Sequence, residues 1–67
     1  MRHEPNRTGV CLIRVEVQGG GVLVTVRQNP DIEQASTERV LTFPDVESAV
    51  EAVREFLGCF ADDAGRL

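Results

Sequence analysis

Hydrophobic residues recur with two different periods along the chain, and the period changes at Phe43-Pro44-Asp45. Before that point they alternate with polar residues, as in a half-buried strand. After it they lie three or four positions apart, as on one face of a helix. The pattern therefore predicts one small sheet followed by one helix. The alternating positions are Cys11, Ile13, Val15, Val17, Val22, Val24 and Val26, and the helical positions are Val46, Ala49, Val50, Val53, Phe56, Leu57 and Phe60.

Turn signals divide the alternating region into three strands. Gly19-Gly20 separates a strand at 10–18 from a strand at 21–28, and glycine tolerates the positive φ of a tight hairpin turn. Asn29-Pro30-Asp31 ends the second strand, because proline has no amide hydrogen to donate. After a polar loop, a third strand is predicted at 37–43. The result is a three-stranded antiparallel meander.

The register of the first two strands follows from the length of the turn between them. A two-residue turn sets Val15 opposite Val24 and Ile13 opposite Val26, so that the strong apolar pairs share one face. A three-residue loop would instead set Ile13 opposite Arg27 and place a charge beside the core. We therefore predict the two-residue turn.

The helix is predicted to run from Val46 to about Phe60 and to pack on one face of the sheet. Asp45 is suited to cap it, since a carboxylate there accepts a hydrogen bond from an amide of the first turn. Gly58 could end the helix at Leu57, but Phe60 continues the apolar stripe. The predicted fold class is α+β, in the order β-β-β-α.

The chain has 67 residues, which is enough for one domain. We assign 10–60 to a single β-β-β-α domain, 1–9 to a flexible N-terminal arm and 61–67 to a C-terminal tail, because neither end shows a hydrophobic period. A core of this size contributes only about 3 to 5 kcal/mol, and such domains usually need a disulfide, a metal or a partner. Self-association is therefore one hypothesis that size alone raises.

Composition and charge limit the cellular location and the binding partners to be expected. Hydrophobic residues make up 42% of the chain, which is typical of a globular fold. The net charge is −4 and lysine is absent, which disfavours non-specific binding to phosphates. No apolar run is long enough to span a membrane, and the first residues lack the apolar core of a signal peptide, so we expect a cytoplasmic protein.

No set of residues has the types and spacing of a catalytic, metal or cofactor site. His3, the only histidine, lies in the predicted arm. Gly19-Gly20-Gly21 joins two strands and does not precede a helix, as a phosphate-binding loop would. Cys11 and Cys59 match no zinc or redox spacing. They could form a redox pair or a disulfide, but we predict two unbridged thiols at one end of the fold. We expect no enzyme activity and no cofactor.

Two surfaces are candidates for binding. The helix face opposite the apolar stripe is acidic, which is typical of a solvated helix but could also attract a basic partner. The sheet face turned away from the helix, here called the open sheet face, has several apolar residues that nothing covers in a two-layer domain. The candidate interface residues on the open sheet face are Leu12, Leu23, Val40, Arg14 and Arg27.

These features predict a small, non-catalytic protein-interaction module. Its partner would most simply be a second copy, in a homodimer formed through the open sheet face or an exposed edge strand, or otherwise another protein. The alternative is a small nucleic-acid-binding or regulatory domain in which Arg14 and Arg27 contact phosphates. The net charge and the absence of Trp, Tyr and Lys weigh against that alternative.

Overall fold

The structure is a computed structural model that describes residues 7–65, apart from the side chain of residue 35. Three antiparallel strands form one sheet in the order β1-β2-β3, and one C-terminal helix follows, which confirms the predicted β-β-β-α fold. Most of the predicted N-terminal arm, including His3, lies outside the described residues. The elements are β1 (Val10–Gln18), β2 (Gly21–Asn29), a 3-10 helix (Ala35–Thr37), β3 (Arg39–Phe43) and α1 (Val46–Gly65).

The β1–β2 hairpin has the predicted register. Val15 lies opposite Val24 and Ile13 lies opposite Val26, along a ladder that continues without interruption to the turn. Gly19 opens the turn with a φ of 46°, a conformation that side chains disfavour. The two-residue turn therefore places the alternating apolar residues of both strands on the face that meets the helix.

The third strand begins two residues later than predicted, at Arg39. The preceding residues form a 3-10 helix in which the Thr37 amide donates to the Gln34 carbonyl at 3.1 Å. The Thr37 hydroxyl lies 2.7 Å from the Asn29 side-chain oxygen and 2.7 Å from the Gln34 carbonyl oxygen. The predicted start at residue 37 was wrong because these bonds hold Thr37 in the turn and out of the ladder.

The helix begins at Val46, directly after its predicted cap. The Ser48 amide donates a 2.7 Å hydrogen bond to one Asp45 carboxylate oxygen, and the Ser48 hydroxyl donates a 3.1 Å bond to the other. The bond from the Ser48 amide, and secondly the bond from its hydroxyl, hold the pKa of Asp45 below its ordinary value. Asp45 thus satisfies a first-turn donor that the helix itself cannot satisfy.

The far end of the helix was predicted wrongly, since α1 continues past Phe60 to Gly65. The Phe60 ring lies against Gly9, where an added Cβ would overlap it. The Arg7 guanidinium lies 4.6 Å from the centre of the Phe60 ring and 2.5 Å from an Asp63 carboxylate oxygen. These contacts with the segment before β1 support the last turns of the helix, where the sequence shows no apolar period.

The helix packs chiefly on β2 and β3. The buried hydrophobic residues of the described chain are Val24, Val26 and Ala49. Gln28 is also buried, with 6% of its surface exposed, and its side-chain nitrogen donates a 3.1 Å hydrogen bond to the Ala52 carbonyl oxygen. An unsatisfied amide in this position would cost about 1 to 3 kcal/mol. The bond therefore lets a glutamine join the sheet to the middle of the helix.

Candidate functional site

An apolar groove runs between β1 and α1, because the helix does not cover the first strand. Its volume is about 470 Å³. Ile13 and Val15, which point to the helix side of β1, are 56% and 58% exposed, and Val17 beyond them is 85% exposed. We call this feature the β1–α1 groove. Its lining comprises Ile13, Val15, Val24, Val46, Ala49, Val50, Val53, Arg54 and Leu57.

The helix contributes one side of the β1–α1 groove. Ala49 faces the sheet and is buried, whereas Val46, Val50 and Leu57 are each about half exposed. These three residues lie at helical spacing on the flank of α1 that is turned toward β1. The apolar stripe of the helix is therefore wider than the surface that it buries, and its uncovered part faces the uncovered strand.

β1 is a long edge strand. All nine of its residues pair with β2, and no described strand lies on its other side. Gln18 and Gly21 close a two-residue turn and so form a hydrogen-bonded pair. Starting from this pair, hydrogen-bonded and non-hydrogen-bonded pairs alternate along the antiparallel ladder. The backbone N–H and C=O groups of Ile13, Val15 and Val17 then point outward. Such an edge is a template for another strand.

The open sheet face holds all five candidate interface residues, but it does not bring them into one apolar patch. Leu12 lies opposite Arg27, and Arg27 lies opposite Val40 on the next strand, so a charged residue separates the two exposed aliphatic ones. Leu23 lies near the turn, opposite Glu16, and is only partly exposed. The candidate residues therefore form a mixed polar and apolar surface.

The arginines of the open sheet face have carboxylate partners within the chain. Arg14 Nη2 lies 2.6 Å from a Glu16 oxygen, and Arg27 Nη1 lies 3.4 Å from a Glu38 oxygen. A phosphate bound at this face would have to compete with those carboxylates and meet their negative charge. The pairing lowers the capacity of Arg14 and Arg27 to bind nucleic acid.

The acidic face of the helix is exposed to solvent, as at Glu47 and Glu55. Its Glu51 carboxylate lies 3.7 Å from the Arg54 guanidinium, one helical turn away. Exposed pairs of this kind contribute about 1 kcal/mol or less. The arrangement is that of an ordinary solvated helix face.

Both cysteines are free thiols in the structure. Cys11 is half-buried beside the core, and burial raises the pKa of its thiol, whereas Cys59 is exposed. Within residues 7–65, no three histidine, cysteine or acidic residues are placed to hold a metal ion. A search of the same residues for a helix long and apolar enough to cross a membrane also finds none.

Sequence reasoning missed the β1–α1 groove, although the numbers of predicted strands and helices indicated that one strand would stay uncovered. A helix is about 10 Å wide, while neighbouring strands lie about 4.8 Å apart, so one helix covers about two strands. The connection to α1 is only Pro44-Asp45, which keeps the helix beside β3. With the order β1-β2-β3, the strand left uncovered has to be β1.

Comparisons of the chain with protein-family models, with curated proteins and with solved structures found no match. The function is therefore argued from the surfaces described above.

Proposed function

We propose that this chain is a non-catalytic protein-interaction module that self-associates as a homodimer. The observation that carries the proposal is the β1–α1 groove with Val17 beside it, which together leave six aliphatic side chains about half exposed or more around a single edge strand. Contiguous apolar surface of this kind is typical of interaction sites. The six residues are Ile13, Val15, Val17, Val46, Val50 and Leu57.

A second copy is the partner that these features favour. A two-fold dimer uses one surface twice, and an edge strand with unpaired backbone groups is able to pair with its own copy. The described core has only three buried hydrophobic residues, so the fold buries little apolar surface. Covering the groove would increase that buried area substantially. Self-association would thus supply stability that the isolated fold lacks.

Val15→Glu and Leu12→Glu are a matched pair of variants that tests this proposal. Both residues lie in β1 and both are 58% exposed, but they point to opposite faces of the sheet. We expect light scattering to find a wild-type dimer, a Val15→Glu monomer and a Leu12→Glu dimer, because only Val15 faces the groove. Circular dichroism of each variant checks that the helix is retained.

The opposite pattern, in which Leu12→Glu is monomeric and Val15→Glu is dimeric, would move the interface to the open sheet face. A wild-type chain that stays monomeric up to high micromolar concentration would contradict self-association. Under the nucleic-acid alternative, Arg14→Ala and Arg27→Ala would weaken a salt-sensitive complex without changing the oligomeric state. That result would replace the proposal.

A further inference from the structure

We infer that two copies of this chain pair antiparallel through their β1 strands, in a register centred on Val15, so that two three-stranded sheets become one continuous sheet. The inference rests on the proposed self-association and specifies its geometry. It follows from the exposed edge of β1, from the distribution of apolar residues on that strand, and from the positions of Arg14 and Glu16.

β1 is the better of the two sheet edges for pairing. It has nine residues, contains no proline and pairs with β2 without a bulge. β3 has five residues and is confined between a 3-10 helix and Pro44. Sheet edges that are short and bounded by proline resist the addition of a strand, whereas long regular edges accept one. The second copy should therefore add at β1.

A two-fold antiparallel pair places residues opposite one another only when they lie on the same face of the sheet. The helix-side residues of β1 in one copy would thus meet the helix-side residues of the other. With Val15 at the centre, Val15 faces its own copy, and Ile13 faces Val17 of the second copy. The exposed aliphatic side chains on the helix side of the strand become neighbours across the new ladder.

Charge selects this register over the adjacent ones. Centring on Val15 sets Arg14 opposite Glu16 of the second copy, once on each side of the two-fold axis. Centring on Arg14 would set two arginines directly opposite each other, and centring on Glu16 would set two glutamates opposite each other. Like charges in direct opposition destabilise a sheet, whereas opposite charges stabilise it. The Arg14 side chain is 74% exposed and lies 2.6 Å from Glu16 of its own chain, so in this register each arginine would have a glutamate both beside it and opposite it.

A face-to-face dimer would bury charged residues in the groove. To enter the groove of a second copy, α1 would have to turn the side that faces away from its own sheet toward Ile13 and Val15. That side of the helix carries the exposed residues Glu47, Glu51 and Glu55. Burying those charges against aliphatic side chains is costly. Pairing through β1 leaves the charged face of the helix in water.

Disulfide trapping tests the register. In the Val15-centred dimer, residue 14 and residue 16 of the second copy form a non-bonded pair with Cα atoms about 4.5 Å apart, within disulfide range. We would make Arg14→Cys and Glu16→Cys separately in the full chain, with Cys11→Ala and Cys59→Ser to remove the native thiols. Each variant is oxidised alone and in an equal mixture, and mass spectrometry identifies the products.

We expect the mixture to give mainly the disulfide between residues 14 and 16, with each variant alone giving several-fold less cross-linked dimer. Predominant self-linking of Arg14→Cys would show a register centred on residue 14, and predominant self-linking of Glu16→Cys a register centred on residue 16. A dimer by light scattering that gives no cross-link would overturn the inferred Val15-centred pairing while leaving self-association intact. Absence of any dimer would overturn the proposed function itself.

A second measurement does not depend on disulfide geometry. In Arg14→Glu, residues 14 and 16 are both acidic, and in Glu16→Arg they are both basic. Each variant has therefore lost the ion pair between these residues within its own chain. Mixed together, they should form a heterodimer about tenfold tighter than either homodimer, because two opposite-charge pairs replace like-charge pairs. A mixture that shows no preference for the heterodimer would contradict the inferred pairing of residues 14 and 16.

Discussion

Two polar side chains, Gln28 and Asp45, join the helix to the rest of the molecule at the residue scale. Gln28 donates to the Ala52 carbonyl from the buried face of the sheet, and Asp45 accepts the Ser48 amide at the first turn. One bond sets which part of the helix lies over β2, and the other sets where the helix begins. The Gln28 bond satisfies a buried amide, and the Asp45 bond replaces water at an exposed amide of the first turn.

Asp45→Ala should lower the melting temperature at neutral pH by roughly a few degrees, because it removes the acceptor for the first-turn amide. The pKa of Asp45 is lower in the folded chain than its ordinary value. Its contribution is therefore fully present above that ordinary value and is lost as the pH falls through the folded-state pKa. The difference between wild type and variant should close in acid.

Thermal melts by circular dichroism across the acidic range measure this difference. Asp45→Asn is the control, since asparagine also caps helices but does not titrate. A gap between wild type and Asp45→Ala that remains constant down to strongly acidic pH would show that the carboxylate does not act as a cap.

At the scale of elements, the last turns of α1 depend on the segment that precedes β1. Phe60 lies against Gly9, and the Thr8 carbonyl accepts a 2.9 Å hydrogen bond from the Ile32 amide. Thr8 and Gly9 therefore pack between the helix and the loop that follows β2. Close approach of the ring requires that residue 9 have no side chain.

Gly9→Ala should destabilise the fold by about 1 to 3 kcal/mol, because its Cβ would overlap the Phe60 ring and lie 3.1 Å from the Asn29 carbonyl oxygen. Gly58→Ala is the matched control, since no atom outside its chain neighbours and the adjacent helix backbone lies within 4 Å of the added Cβ. Alanine in a helix interior should stabilise by about 0.5 to 1 kcal/mol. Urea unfolding of both variants measures the two effects. Equal shifts in the same direction would contradict the contact at Gly9.

At the scale of the whole molecule, the fold is one helix on a three-stranded sheet, with too little helix surface to cover the sheet. Val24 and Val26 of β2 are buried, whereas Val15 and Ile13, which lie opposite them on β1, are more than half exposed. A second copy that covers β1 would bind the folded chain and not the unfolded one. Such binding couples stability to protein concentration.

The melting temperature of the wild-type chain should therefore rise with concentration, by roughly a few degrees for each tenfold increase. Val15→Glu should melt at a lower temperature that does not change with concentration, while Leu12→Glu should keep the concentration dependence. Circular dichroism melts over a hundredfold range of concentration test this. A wild-type melting temperature that is constant over that range would contradict dimerisation.

The features of this fold that local chemistry controls follow from the order of its amino acids. The alternation of Ile13 and Val15, with a two-residue glycine turn, is sufficient to define the hairpin register, because a shift by one residue would turn every apolar side chain to the wrong face. Asp45 at the change of period is sufficient to define the start of the helix, because a cap acts within one turn. Both were predicted correctly.

The end of the helix and the position of the candidate site depend instead on contacts between residues far apart in the chain. The helix reaches Gly65 because Phe60 and Asp63 contact residues more than fifty positions earlier, and no local pattern records such contacts. The candidate residues Leu12 and Val40 were placed on the correct face, but the register sets Arg27 between them. The larger uncovered apolar surface lies on the other side of β1. Periodicity shows which residues are suited to burial, but the lateral position of the helix on the sheet decides which of them it covers.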